Sequence, residues 1–245
     1  MVICTRTAYF MEKYEEPAYL SDELTISTKF DFAIKTIESE NTKIKAKIEI
    51  IRVIIRTFPE TLKISDNDGN TLLHLAVINN KPKIVKLLLS NFADTFIKNK
   101  DGKSPRKLAK NEELDEIKDL IIRHREEIEK FHDLFETCAE ELDEEKFSAT
   151  IEEFKELFHD YPYMIKYSDP ISGNNSLHNA VITGKIELVK FILGLKINNY
   201  CLDPLEKNQN DQTPIGLAHE MSENMDQSLY LKIALLMVKN GGKNK

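Results

Sequence analysis

The side chains best able to ligate a metal, or to act as nucleophile and base, are six histidines (His74, His124, His132, His159, His178, His219) and three cysteines (Cys4, Cys138, Cys201). A helical zinc site needs two histidines four residues apart on one face. His124 and His132 are eight apart, which leaves them about 80° apart around a helix axis. His219-Glu220 opens like a zincin motif, but no second histidine follows four residues after the first. Cys138 and His132, six apart, point about 120° from each other on a helix and do not read as a nucleophile and its base. There is no Gly-x-Ser-x-Gly elbow, and none of the eight glycines falls in a Gly-x-Gly-x-x-Gly or Walker loop. The carboxylates Glu140, Glu141, Asp143, Glu144 and Glu145 lack the alternating oxygen ligands and central glycine of a calcium loop, and read as a solvated helix end. No cofactor and no metal are expected.

The histidines point instead to scaffold. Asp66-Asn67-Asp68-Gly69-Asn70-Thr71-Leu72-Leu73-His74-Leu75-Ala76-Val77 recurs in degraded form as Asp101-Gly102-Lys103-Ser104-Pro105-Arg106-Lys107-Leu108-Ala109, as Gly173-Asn174-Asn175-Ser176-Leu177-His178-Asn179-Ala180-Val181, and as Asp211-Gln212-Thr213-Pro214-Ile215-Gly216-Leu217-Ala218. Gly69 suits a turn that needs positive φ, and Asn80 and its counterpart Gly184 can end a helix in the left-handed region. Thr71 is placed to cap a helix start. Leu73, Leu75 and Ala76 share one helical stripe, and Ile84, Leu87 and Leu88 give the i, i+3, i+4 pattern of a second amphipathic helix. Ile186 to Leu193 repeats that second helix in different letters.

A unit of about 33 residues with a Thr-Pro-Leu-His-x-Ala-like start resembles the ankyrin repeat, a β-turn followed by two antiparallel helices. The resemblance implies an all-α, ankyrin-type helical repeat solenoid and places His74 and His178 where that family uses histidine to hold the turn. Phe58-Pro59-Glu60-Thr61-Leu62 matches Tyr161-Pro162-Tyr163-Met164-Ile165 at an offset of 103 residues. Each follows an amphipathic helix (48–57 and 151–159) that itself follows another (29–38 and 131–142), and aromatic-Pro ends a helix. About six helix pairs therefore fall into two tandem three-unit arrays, 28–125 and 126–245. The aromatic residues of 1–27 are read as a cap over the open end of the first pair. Two irregularities stand out: a long loop over 194–208 and a stretch between the last two helices at 222–228. Residues 112–142 contain no Gly or Pro, so helix is expected nearly throughout, with a tight turn near 123–127.

Net charge is −7 and charged residues make up 31% of the chain, and no apolar run approaches the roughly 18 residues needed to span a bilayer. Charge is divided along the sequence: 28–110 holds 17 Lys/Arg against 9 Asp/Glu, whereas 126–160 holds 3 against 14. The basic cluster Lys98, Lys100, Lys103, Arg106, Lys107 and Lys110 has only Phe96 nearby for stacking, so nucleic acid is not the expected partner. An odd, scattered set of cysteines and the absence of a signal-peptide pattern at Met1 fit a cytoplasmic setting. The Lys-, Ile- and Asn-rich wording resembles that of short ankyrin proteins which intracellular bacteria deliver into host cells, and this extends the expectation to a secreted effector.

The ankyrin resemblance implies a non-catalytic scaffold that binds a partner protein through turn tips and the exposed end of each first helix. Carried over to matching positions, this gives Asn67, Asp68, Asn70, Ile78 and Asn79; then Lys100, Asp101, Lys103 and Asn111; then Ser172, Asn174, Ile182 and Thr183. Ile78 and Ile182 stand out as apolar hot-spot candidates. Two other readings remain open. One is an enzyme or enzyme regulator with a site formed by the irregular segments 1–27 and 194–210, drawing on His132 and Cys138. The other is a homo-oligomer joined by the acidic face of one copy and the basic face of another.

Overall fold

The computed structural model describes residues 25–40, 42–140, 143–197 and 200–241. Among them are eleven α-helices: α1 (Ile26–Glu38), α2 (Ile44–Thr57), α3 (Leu72–Ile78), α4 (Pro82–Leu89), α5 (Pro105–Asn111), α6 (Asp115–Ala139), α7 (Glu144–Asp160), α8 (Ser176–Ile182), α9 (Ile186–Gly194), α10 (Pro214–Asn224) and α11 (Gln227–Gly241). Extended pairing among the described residues is limited to isolated bridges, two of which, Ser65 with Thr71 and Ser168 with Asn175, close the turns ahead of α3 and α8. The chain divides into two compact units, Met1–His124 and Arg125–Lys245. The expected cap at 1–27 lies, up to residue 24, outside the described residues.

In the first unit α1 packs on α2 and α3, α3 packs on α4 and α5, and α2 packs on α4. Helix α3 has seven residues, and the six from Leu72 to Val77 are all buried. A helix this short is marginal by itself and is held by tertiary burial. Each fully buried Leu, Ile or Val contributes about 1.5–3 kcal/mol. Ile37, Ile51, Ile54, Ile84 and Leu88 complete the same core at 0% exposure. Phe58-Pro59 stops α2 as expected, and the Phe58 N–H closes the helix on the Ile54 carbonyl at 2.7 Å. The end of α1 is sealed differently: the Lys47 ammonium donates to the carbonyls of Ile37, at 3.0 Å, and Ser39. Lys47 is only 3% exposed, and burial lowers its pKa.

In the second unit aromatic side chains replace many of the isoleucines. Phe131 meets Phe135 edge-on at 5.0 Å, and Phe135 meets Phe154 at 4.8 Å, separations at which aromatic pairs add to simple burial. Helix α8 packs on α9 and α10, and α11 covers α9 and α10. Glu127 is 8% exposed and accepts a hydrogen bond from the Tyr163 hydroxyl. Burial, first, and this carboxylate, second, push the Tyr163 phenol well above its ordinary pKa.

Two sequence expectations are corrected. No turn interrupts 123–127: α6 is continuous from Asp115 to Ala139. His124 and Glu127 there are 4% and 8% exposed, and a turn at such sites would leave buried backbone groups unpaired that the helix satisfies internally. The interruption expected over 222–228 shrinks to Met225 and Asp226, because α10 gains a further turn. In that turn the Ser222 hydroxyl donates to the His219 carbonyl at 2.6 Å and the Asn224 amide to the Glu220 carbonyl at 2.9 Å.

Candidate partner-binding surface

Asp66 organises the first turn. Its Oδ1 accepts from the N–H groups of Asp68 at 2.9 Å and Asn70 at 2.7 Å, while its own N–H donates to the Asn70 carbonyl. Gly69 stands at φ +80°, and a Cβ there would lie 3.0 Å from the Lys100 nitrogen of the next turn. That close approach lets the Lys100 N–H donate to the Asp68 carbonyl at 2.8 Å. The second unit repeats the device with Gly173 at φ +73°, where the Gln209 N–H donates to the Ser172 carbonyl at 3.0 Å.

Histidine joins each turn to its helix and to the following turn. His74 Nδ1 accepts from the Thr71 N–H at 3.2 Å and lies 2.9 Å from the Thr71 hydroxyl, and His74 Nε2 is 3.1 Å from the Lys103 carbonyl. A carbonyl can only accept, so Nε2 carries the proton. His178 repeats this with the Asn175 N–H at 3.4 Å and the Gln212 carbonyl at 2.9 Å. Both rings are 0% exposed, and burial lowers both pKa values. The structure therefore uses these two histidines as scaffold.

The thirteen residues carried over from the repeat fall into two groups. Asn67, Asp68, Ile78, Lys100, Asp101, Asn111 and Ile182 are exposed. The others are drawn into local bonding. Asn70 is 8% exposed, donates to Asp66 Oδ2 at 3.2 Å and accepts from the Asn99 amide at 2.9 Å. Asn174 accepts from the Asn208 amide at 2.8 Å. Asn79 donates to the Leu75 carbonyl, Thr183 to the Ala180 carbonyl, and the Ser172 hydroxyl to Asp169. Lys103 lies 3.9 Å from Asp101. Burial raises the Asp169 pKa, but the N–H and hydroxyl of Ser172 and the N–H of Ile171 outweigh it and hold the carboxyl below its usual value.

The second unit brings Ile182 and Thr183 together with residues the repeat pattern did not single out as contacts. Phe135, Glu136 and Ala139 of α6, with His132 above them, face Asn179 of α8 across a shallow groove of about 190 Å³ that Ile182 and Thr183 complete. His132 Nε2 is anchored 3.0 Å from the Tyr167 hydroxyl, whose pKa burial pushes up to about 12. Register held the clue to Asn179: counting 104 residues on from Leu75 reaches it, so an amide stands where the first unit buries a leucine. The turn ahead of α8 also gains one residue, since Asp66 to Gly69 becomes Asp169 to Gly173, and this projects Ile171 to 86% exposure. Cys138, by contrast, is 0% exposed and burial raises its thiol pKa to about 11, so it is not a poised nucleophile for His132. Among the described residues no group of three His, Cys, Asp or Glu is placed to hold a metal.

Residues 68–100, which span the first turn, α3, α4 and the start of the next turn, match the family model of the ankyrin repeat. These residues are an ankyrin repeat. A stretch of 64 residues is 39% identical to the poly[ADP-ribose] polymerase tankyrase of Caenorhabditis elegans, covering 26% of this chain and 3% of that protein. The chain thus spans only a small fraction of that relative's length. Two solved structures align over most of their length: the Osh1 ANK domain from Kluyveromyces lactis (18% identity, 97% of this chain and 89% of that one, TM-score 0.36) and the ankyrin repeat domain of Bcl-3, an IkappaB family member (16%, 90% and 88%, TM-score 0.33). Those superpositions are loose, and the ankyrin architecture is read from the repeated turn, histidine and helix-pair geometry itself. Ankyrin repeats typically mediate protein–protein interaction without catalysis.

Proposed function

We propose that this ankyrin-repeat chain is a non-catalytic scaffold that recognises a partner protein through the inner-helix ends and turn tips of its units. One observation carries the reading. Ile78 and Ile182 occupy equivalent positions, 104 residues apart, at the ends of α3 and α8. They are 50% and 44% exposed, whereas Leu72, Val77, Leu177 and Val181 on the same helices are 0% exposed. An apolar side chain left in water at the same place in both units is a candidate anchor, and the first unit also exposes the polar turn-tip residues Asn67, Asp68, Lys100 and Asp101. Cytoplasmic residence belongs to the same proposal and is supported by three cysteines without disulfide or metal spacing.

The test compares Ile78→Asp and Ile182→Asp, singly and together, with Lys100→Glu and Lys103→Glu, in pull-downs from lysate. Each variant is first shown to keep the parent unfolding midpoint. Loss of the same captured proteins in the isoleucine variants supports the reading. Unchanged capture in every variant removes the inner-helix ends from consideration.

A further inference from the structure

The groove of the second unit carries more information than a generic docking face. Its apolar part is formed by Phe135, Ala139 and Ile182. At about 190 Å³ it falls short of the roughly 300–1,000 Å³ of ordinary small-molecule sites and has room for a single side chain. Asn179 lines it with a half-buried amide that makes no side-chain hydrogen bond among the described residues, while the equivalent Leu75 is buried. On α6 beside it Asp133 and Glu136 lie at i and i+3, a spacing that puts them on one face, and Glu140 follows as the first residue past the end of that helix. All three are exposed, and none has an ion-pair partner among the described residues, although Lys130 is paired with Glu153 at 3.9 Å and Arg125 with Glu129 at 3.8 Å on the same helix. The Lys185 charge lowers the pKa of the Cys138 thiol against the larger effect of burial.

We infer that this groove receives a basic peptide segment of a partner protein. An apolar side chain of the segment sits between Phe135 and Ile182, its main chain bonds the Asn179 amide, and its Lys or Arg side chains meet Glu136, Asp133 and Glu140. The inference rests on the reading of the inner-helix ends as a partner surface and adds the chemistry of what binds in the second unit. Three carboxylates without an ion-pair partner among the described residues repel an acidic segment and steer a basic one. The amide supplies both a donor and an acceptor, which is what an extended backbone requires. The apolar contact supplies a term that salt does not screen.

The probes are three fluorescent decapeptides: one rich in Lys and Arg with a single central Leu, the same peptide with Gly for Leu, and one with Glu for every basic residue. Anisotropy is measured with the full chain at low salt and at 0.3 M NaCl. The basic Leu peptide is expected to bind, to retain measurable binding at the higher salt, and to lose about tenfold in affinity with Gly in place of Leu. Glu136→Lys and Asn179→Leu each weaken it, and the latter restores a residue the first unit already accommodates. Ile182→Asp discriminates most sharply, because added negative charge tightens binding driven by charge alone, whereas loss of the anchor weakens it. Tighter or unchanged binding by Ile182→Asp overturns the proposal. If instead the acidic peptide binds and depends on Ile182, the docking surface stands and its basic ligand chemistry falls. If no peptide binds in a way that depends on Ile182, both fall.

Discussion

His74 Nε2 stands 3.1 Å from the carbonyl of Lys103, 29 residues further along the chain, and His178 stands 2.9 Å from that of Gln212. One ring thereby satisfies its own helix start and the next turn at once. Replacing either histidine by alanine leaves a buried N–H and a buried carbonyl short of a partner and opens a cavity. The expected cost is about 2–4 kcal/mol in each case. Urea unfolding measures it, and a loss below about 1 kcal/mol would refute the bridging role.

The same rings set a pH dependence. Burial depresses the pKa of His74 and His178 in the folded chain, so the unfolded chain binds more protons as pH falls. Stability is then full above the unfolded histidine value of about 6.5 and declines as pH drops from there through the lower folded values. Asp169, also depressed, acts in a separate and more acidic window, since its contribution is lost only as pH falls through its folded value. Urea midpoints from pH 8 to pH 5 should decrease in the parent. The slope should be shallower with both histidines changed to glutamine, and equal slopes would remove histidine as the cause.

The turn glycines should rank by what a methyl group would meet. At Gly173 an added Cβ lies 2.6 Å from the Gln209 nitrogen, at Gly69 it lies 3.0 Å from that of Lys100, and at Gly102 nothing is within 4 Å. All three have positive φ, so alanine costs about 1 kcal/mol at Gly102 from backbone strain alone. It costs more at Gly69 and most at Gly173, where the turn-to-turn hydrogen bond is displaced as well. Chemical denaturation of the three alanine variants checks the order, and Gly102→Ala proving the most damaging would contradict it.

How much the sequence disclosed depended on the range of each interaction. Gly69, Thr71, His74 and Asn80 each have a role inside one turn and helix, whatever else Gly69 and His74 do for the next turn, so their spacing was enough to identify the unit and its copy at Gly173 to Gly184. The continuity of α6 through Arg123 to Glu127 was hidden because burial of His124 and Glu127 is a tertiary fact. Asn70 and Asn174 look like free turn-tip residues until Asn99 and Asn208 arrive from 29 and 34 residues away. Phe135 and Asn179 belong to different helix pairs, and periodicity within either helix says nothing of the groove they share.

That distinction is testable within the strip of exposed-looking polar residues. Asn70→Ala removes two side-chain hydrogen bonds at a site that is 8% exposed and should cost about 1–2 kcal/mol. Asn67→Ala and Lys100→Ala touch only exposed side chains and should stay within about 0.5 kcal/mol. Thermal melts of the three variants separate the classes. Equal melting temperatures would mean that the Asn70–Asn99 link contributes nothing to folding and would return Asn70 to the partner surface.

Cys138 gives a prediction that bears on catalysis. Its side chain is 0% exposed, and its thiol is raised to about 11, so at pH 8 only on the order of one molecule in a thousand carries the thiolate. Burial slows attack further, because reagent must wait for local opening. In a Cys4→Ser background, a disulfide reagent should label Cys201, which is partly exposed, well before Cys138. Cys138 should become reactive only as denaturant unfolds the second unit. Rapid labelling of Cys138 in the native chain would instead show an activated thiol and revive the pairing with His132 as an enzymatic site.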